Sequence, residues 1–160
     1  MIMPTRPRVL YVDNDDESCE MIKVTLEAAA IEVTCVSNSA EALLLAAKTK
    51  FDLFLLDLGW KDDNATELCT KLRNVFPKIP VVLYTGAAGD RERRTGLASG
   101  AAAYLIKPYS ELIAPTVFRL VAGMNDVGRG RHTLQNYDQS HIRIRIPSLD
   151  PGHDSLAIWP

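Results

Sequence analysis

The stretch Phe51-Asp52-Leu53-Phe54-Leu55-Leu56-Asp57 is an apolar run that stops on a carboxylate. Such a run suits a strand buried on both faces, so an acid at its carboxyl end marks a place for chemistry rather than for packing. In open parallel α/β sheets, ligands bind beyond those strand ends. Three other runs end in a similar way. Arg8-Val9-Leu10-Tyr11-Val12 delivers Asp13-Asn14-Asp15-Asp16-Glu17, Ile79-Pro80-Val81-Val82-Leu83-Tyr84 delivers Thr85-Gly86, and Ala103-Tyr104-Leu105-Ile106 delivers Lys107-Pro108. An acidic cluster, a lone aspartate, a hydroxyl and a lysine thus stand at four strand ends, as the parts of one site would.

Working outward, strand-like runs alternate with helix-like ones, which predicts βαβ units and a parallel sheet. Strands are expected near 8–13, 31–36, 52–57, 80–85 and 102–106. Cys19, Ile22, Leu26 and Ala29 recur at helical spacing in a first helix, Leu43, Leu44 and Ala47 in a second, and Leu68, Leu72 and Val75 in a third. Asn64 followed by Glu67 has the form of a capping box for the third helix. A fourth helix is expected from about 90 to 98, with Gly100 just past its end. In the fifth, Ile113, Val117, Leu120 and Val121 share a face, and Pro115 predicts a turn at 110–114 with the main helix starting near Pro115 itself.

Composition narrows the function classes. The chain has 160 residues, 47% of them hydrophobic, which suits one domain with a real core and a short appendage. A formal net charge of −2 gives no global pull towards nucleic acid or an anionic membrane. No apolar stretch approaches the roughly 20 residues of a spanning helix, and the N-terminus lacks a signal-peptide core, so a cytoplasmic protein without membrane contact is expected. Cys19, Cys35 and Cys69 are scattered in apolar segments without CxxC spacing, which predicts reduced, buried thiols rather than a metal site. His132, His141 and His153 are too widely spaced for a usual metal pattern.

In this order the pieces resemble the receiver domain of two-component response regulators. The matching residues are Val9-Leu10-Tyr11-Val12-Asp13-Asn14-Asp15, Phe51 to Leu58, Val81-Val82-Leu83-Tyr84-Thr85-Gly86 and Ala103-Tyr104-Leu105-Ile106-Lys107-Pro108. The resemblance covers about residues 6–122 and leaves 123–160 as a linker and tail. It implies a doubly wound, flavodoxin-like α/β fold, a five-stranded parallel sheet of order 2-1-3-4-5 with five helices. It also implies a signalling module rather than an enzyme, taking a phosphoryl group from a histidine kinase or phosphotransfer protein. By resemblance Asp57 is the phosphoacceptor, and Asp13, Asn14, Asp57 and the Gly59 backbone carbonyl hold Mg²⁺. Lys107 pairs with phosphoryl oxygens, Thr85 hydrogen-bonds one of them, and Tyr104 swings inward as the loop after the fourth strand closes; Gly86 leaves the phosphate room. The chemistry is coherent, because a carboxylate attacking a phosphoryl group needs the charge on the transferring oxygens neutralised, which a divalent cation and a lysine supply.

The sequence departs from the family pattern in places. Position 14, normally a second acid, is Asn14. Its carbonyl can still ligate a metal, but a charge is missing. Two unit charges about 4 Å apart interact by roughly 4 kcal/mol at an effective dielectric near 20, so weaker Mg²⁺ binding is expected. Lys61 stands where the family usually has proline, Ala65 where it has glycine, and Trp60 is unusual beside such a site.

Each signal has a plainer reading. Asp16 and Glu17 fit a solvated helix start, where acids favour the N-terminal dipole. Arg91, Arg93 and Arg94 fit a solvated helix face, Lys107 a surface lysine, Thr85 a turn residue and Tyr104 simple packing. Fewer than forty residues follow position 122, with no recognition-helix pattern, so direct DNA binding is not expected. A stand-alone receiver presenting a changed surface to a downstream protein partner is expected instead. A phosphate-independent binding module is the alternative, supported by Asn14 and opposed by Asp57, Thr85 and Lys107. A hydrolase acting on a phosphorylated small molecule would need a general acid and a pocket that the sequence does not offer. In the tail, His141-Ile142-Arg143-Ile144-Arg145-Ile146 alternates strictly, which predicts an edge strand at 141–146. Such a strand folds back on its own domain or joins a second copy as a homodimer.

Overall fold

The computed structural model describes residues 5–57, 59, 64–125, 142–145 and 156–157. Five strands, β1 (Arg8–Val12), β2 (Glu32–Val36), β3 (Leu53–Leu56), β4 (Val81–Thr85) and β5 (Ala103–Ile106), pair in parallel in the order β2-β1-β3-β4-β5. The fold is thus the doubly wound α/β arrangement expected from the alternation of the sequence. The sheet continues beyond β5: β6 (Ile142–Arg145) lies antiparallel to it, and β7 (Leu156–Ala157) antiparallel to β6. In this register Leu105 pairs with Ile142, Tyr104 with Arg143 and Ala103 with Ile144.

Local chemistry sets the helix starts. Asp15 accepts the Ser18 backbone N–H at 3.3 Å and its hydroxyl at 2.6 Å, capping α1 (Asp16–Ala28). Asn38 accepts from the Glu41 N–H at 2.9 Å to start α2 (Ser39–Lys48). Asn64 takes the N–H groups of Thr66 and Glu67, at 3.1 and 3.2 Å, to start α3 (Ala65–Val75). Helix α4 (Asp90–Ala98) ends ahead of Gly100, whose φ of 101° suits a residue without Cβ. One 3₁₀ turn, Ser110–Leu112, leads into α5 (Ile113–Asn125).

Alternation along the strands divides the core into two layers. Leu10, Val12, Phe54, Leu56 and Leu83 face one way, onto Ala42 and Ala46 of α2, Leu68 and Leu72 of α3 and Leu97 of α4. Val9, Tyr11, Leu53, Leu55, Val82 and Tyr84 face the other, onto Ile22 and Leu26 of α1 and Ile113 and Val117 of α5. With each fully buried aliphatic or Phe side chain worth about 1.5–3 kcal/mol, these layers anchor the sheet.

Several expectations are corrected. Helix α2 buries Ala42 and Ala46, whereas Leu44 is 58% exposed, because a segment apolar on every side carries no clear period. Val75, expected on the inner face of α3, is also exposed. Helix α5 starts at Ile113, two residues ahead of Pro115. Proline is tolerated there because the first four N–H groups of a helix lack intrahelical partners. Of the three thiols, Cys69 is buried but Cys19 and Cys35 are only half-buried; all three are free. The three histidines lie outside the described residues, as do Trp60 and Lys61.

Candidate functional site

Strands β1 and β3 are neighbours, so the residues that follow them, Asp13 and Asp57, emerge side by side. Lys107 follows β5, two strands away from β3. Its side chain reaches back across β4, passing 5.4 Å from the Tyr84 ring centroid, a cation–π distance. Its Nζ thus lies 3.2 Å from Asp13 Oδ2 and 3.1 Å from Asp57 Oδ2. One ammonium bridges two buried carboxylates. The peptide bond from Lys107 to Pro108 is cis.

The electrostatics follow from burial and proximity. Burial alone would lower the Lys107 pKa, but the attraction and hydrogen bonds of Asp57 and Asp13 outweigh it and hold the ammonium above the ordinary lysine value. Asp13 is only 2% exposed and takes two further donors. The Tyr11 hydroxyl donates to its Oδ2 at 2.5 Å and the Asp15 N–H to its Oδ1 at 2.9 Å. Asp57 Oδ1 accepts the Gly59 N–H at 3.0 Å. A Cβ at Gly59 would stand 3.2 Å from Asp57 Oδ2, so glycine keeps this approach clear.

The other predicted residues are less tightly gathered. Thr85, 1% exposed at the end of β4, accepts the Ala87 N–H at 3.1 Å through Oγ1. Tyr104 points inward at 1% exposure and donates its hydroxyl to the Ala87 carbonyl at 2.6 Å, tying β5 to the loop after β4. Asn14 is exposed in the turn between β1 and α1. Around Gly86 a Cβ would meet nothing within 4 Å, which leaves open space at the rim. Arg91 and Arg94 are exposed on α4, while Arg93 is half-buried.

Two residues escaped the sequence reading. Tyr11 stands two positions before Asp13 on the same face of β1, a period-two signal that could have revealed it. Gly96, inside α4, packs so closely that a Cβ there would come within 2.7 Å of Leu83 and 2.8 Å of the Tyr104 ring. A glycine within a polar helix gives little hint of that role.

Comparison with known proteins agrees with this geometry. Residues 9–114 match the family of response regulator receiver domains. The chain is 32% identical over 152 residues to the transcriptional regulatory protein SrrA of Staphylococcus aureus, covering 94% of this chain and 61% of the relative. It therefore spans about 61% of the length of the curated relatives it matches. Among solved structures, a two-component response regulator from Clostridium difficile superimposes with TM-score 0.70 at 31% identity, covering 75% of this chain and 99% of that one. A CheY-like receiver domain protein from Methanospirillum hungatei gives TM-score 0.71 at 27% identity, over 77% and 99%. The chain belongs to the response regulator receiver domain family, a class of signalling modules rather than enzymes.

Members of this family typically bind Mg²⁺ at the acidic pocket, and as a class they partner with histidine kinases. The donor chemistry here fits such a cation. Asp13 and Asp57 converge on one positive charge, and carboxylate, amide and backbone carbonyl oxygens are the hard ligands Mg²⁺ prefers. Among the described residues no group of three or more His, Cys, Asp or Glu side chains could hold a metal; Mg²⁺ is commonly bound through one or two carboxylates and keeps several waters. Among the described residues, no helix is long and apolar enough to cross a membrane.

Proposed function

We propose that this chain is a cytoplasmic receiver that accepts a phosphoryl group on Asp57 and converts it into a changed protein-binding surface. The donor would be the phosphohistidine of a kinase or phosphotransfer protein. Asp57 attacks phosphorus, the phosphorus–nitrogen bond breaks, and the histidine nitrogen leaves with its electron pair. Lys107 stays against the transferred oxygens, and Thr85 offers its hydroxyl to one of them. Mg²⁺, held by Asp13, Asn14, Asp57 and the Gly59 carbonyl, would neutralise charge on the phosphoryl group. Closure of the loop after β4, to which Tyr104 is tied, would carry the event towards α4 and β5 and a downstream protein partner.

The observation that supports this reading is the single Lys107 ammonium shared by Asp13 and Asp57 at 3.2 and 3.1 Å. Intact mass after incubation with a small-molecule phosphodonor, with and without Mg²⁺, tests it in the wild type and Asp57→Asn. One Mg²⁺-dependent phosphate, lost in Asp57→Asn, is expected. The same adduct in both proteins, or none in either, would leave a phosphate-independent binding module, the reading that Asn14 favours. SrrA is named a transcriptional regulatory protein, and the alignment to it extends beyond the matched receiver region. That extension favours a second reading, in which this chain also serves transcriptional control. DNA retention by the phosphorylated protein that falls steeply with salt would support it.

A further inference from the structure

We infer that Tyr11 is a positioning residue that restrains divalent-cation binding, because its hydroxyl occupies a lone pair of Asp13 Oδ2 that a cation would otherwise use. The inference rests on the reading of Asp13 as a metal ligand. Alternation on β1 puts Tyr11 and Asp13 on one face, with Tyr11 fully buried and Asp13 almost so. The Tyr11 ring belongs to the core layer under α1 and α5, so packing fixes where the hydroxyl points.

The lone pairs of Asp13 can be counted. An ionised carboxylate offers about four acceptor positions. Oδ2 accepts from Tyr11 at 2.5 Å and from Lys107 at 3.2 Å, while Oδ1 accepts from the Asp15 N–H at 2.9 Å. Oδ2 is therefore saturated while Oδ1 keeps one open position, so a cation can meet Asp13 through Oδ1 but must displace a donor to engage Oδ2. Lys107 is a flexible chain with a second carboxylate to hold, so it can withdraw towards Asp57. Tyr11 has no such freedom.

Tyr11 and Asn14 act in the same direction. Asn14 removes a charge that would attract the cation, and the Tyr11 hydroxyl holds a position that would ligate it. The pocket is thereby set to low cation affinity while its phosphoacceptor and lysine are kept. Phenylalanine at position 11 would free one acceptor on a buried carboxylate. A buried acceptor without a donor is costly, and a bound cation would relieve that cost.

The test is a thermal melt of wild type and Tyr11→Phe across an Mg²⁺ titration, with no phosphodonor present. Tyr11→Phe should melt lower than wild type without Mg²⁺, gain more on addition, and half-saturate at about a tenfold lower concentration, the scale of one hydrogen bond to a charged group. Equal half-saturation in the two proteins would reduce Tyr11 to a packing residue while leaving the receiver reading intact. No Mg²⁺ response in either protein, up to tens of millimolar, would remove both the cation site and the role of Tyr11. If Tyr11→Phe does not fold, the Tyr11 ring resonances of tyrosine-labelled wild type decide. Mg²⁺ should shift them in wild type and not in Asp13→Asn, and unshifted Tyr11 resonances on Mg²⁺ binding would overturn the inference.

Discussion

Lys107 neutralises two carboxylates that would otherwise face each other in a largely buried setting. Lys107→Met should cost about 1–3 kcal/mol in urea unfolding without Mg²⁺, since removing one partner leaves buried charge uncompensated and a quarter-exposed lysine is partly screened. Mg²⁺ should restore part of that loss. The alkaline limb of stability belongs to the same scale. Burial pushes the Cys19 thiol from its usual 9.0 up to about 12 and the Tyr104 hydroxyl from 10.0 to about 12, and Lys107 too is raised above 10.5. Groups with raised values bind more protons in the folded state, so the stability they give is intact below their unfolded values and lost as pH rises through the folded ones. Unfolding free energy should therefore decline from about pH 9 upwards, and urea midpoints measured between pH 7 and 11 would check it; a flat profile would contradict it. At this scale Asp13, Asp57 and Lys107 were legible because each ends an apolar run. Tyr11 was not, since a tyrosine inside a strand reads first as packing.

At the scale of elements, two backbone positions lend themselves to substitution. Ala30, just after α1, has φ of 61°, a left-handed conformation in which Cβ is crowded. Ala30→Gly should stabilise the protein by about 0.5–1 kcal/mol, the relief of strain exceeding the added chain entropy. Chemical denaturation would show it as a higher midpoint at unchanged slope. Gly96→Ala should do the opposite. A methyl gains about 1 kcal/mol of helix propensity, but it must enter where Leu83 and the Tyr104 ring stand within 2.7 and 2.8 Å. Overpacking of that kind costs about 1–3 kcal/mol, so net destabilisation and a loosened Tyr104 are expected, readable by tyrosine fluorescence. Element existence was legible throughout, because strand and helix periods alternate. The inner face of α2 was not, since Leu43, Leu44 and Leu45 lie too close together to show a period of 3.6. The start of α5 was misjudged because proline was placed at the first helical position, whereas it stands third, still within the first turn that needs no N–H partner.

For the whole molecule, the family and sheet order were legible because four strand ends carry chemistry in a fixed sequence. The role of the tail was not, since an alternating segment states only that it needs a surface. In the structure β6 takes the free edge of β5 and sets Arg143 opposite Tyr104. We propose that β6 guards this edge. Deleting the residues after 126 should change the mass in solution if the tail mediates a dimer and leave it unchanged if the tail serves its own domain. The place of β1 and β3 within the sheet has a consequence measured in time. Both strands have a neighbour on each side and buried side chains on both faces. In deuterated water the amides of Val9 to Val12 and Leu53 to Leu56 should exchange last, with the free energy of global unfolding, while those of α4 exchange through local opening. The strands that present the two acids are then also the slowest clock in the protein, so any ligand that stabilises the fold will lengthen their protection first.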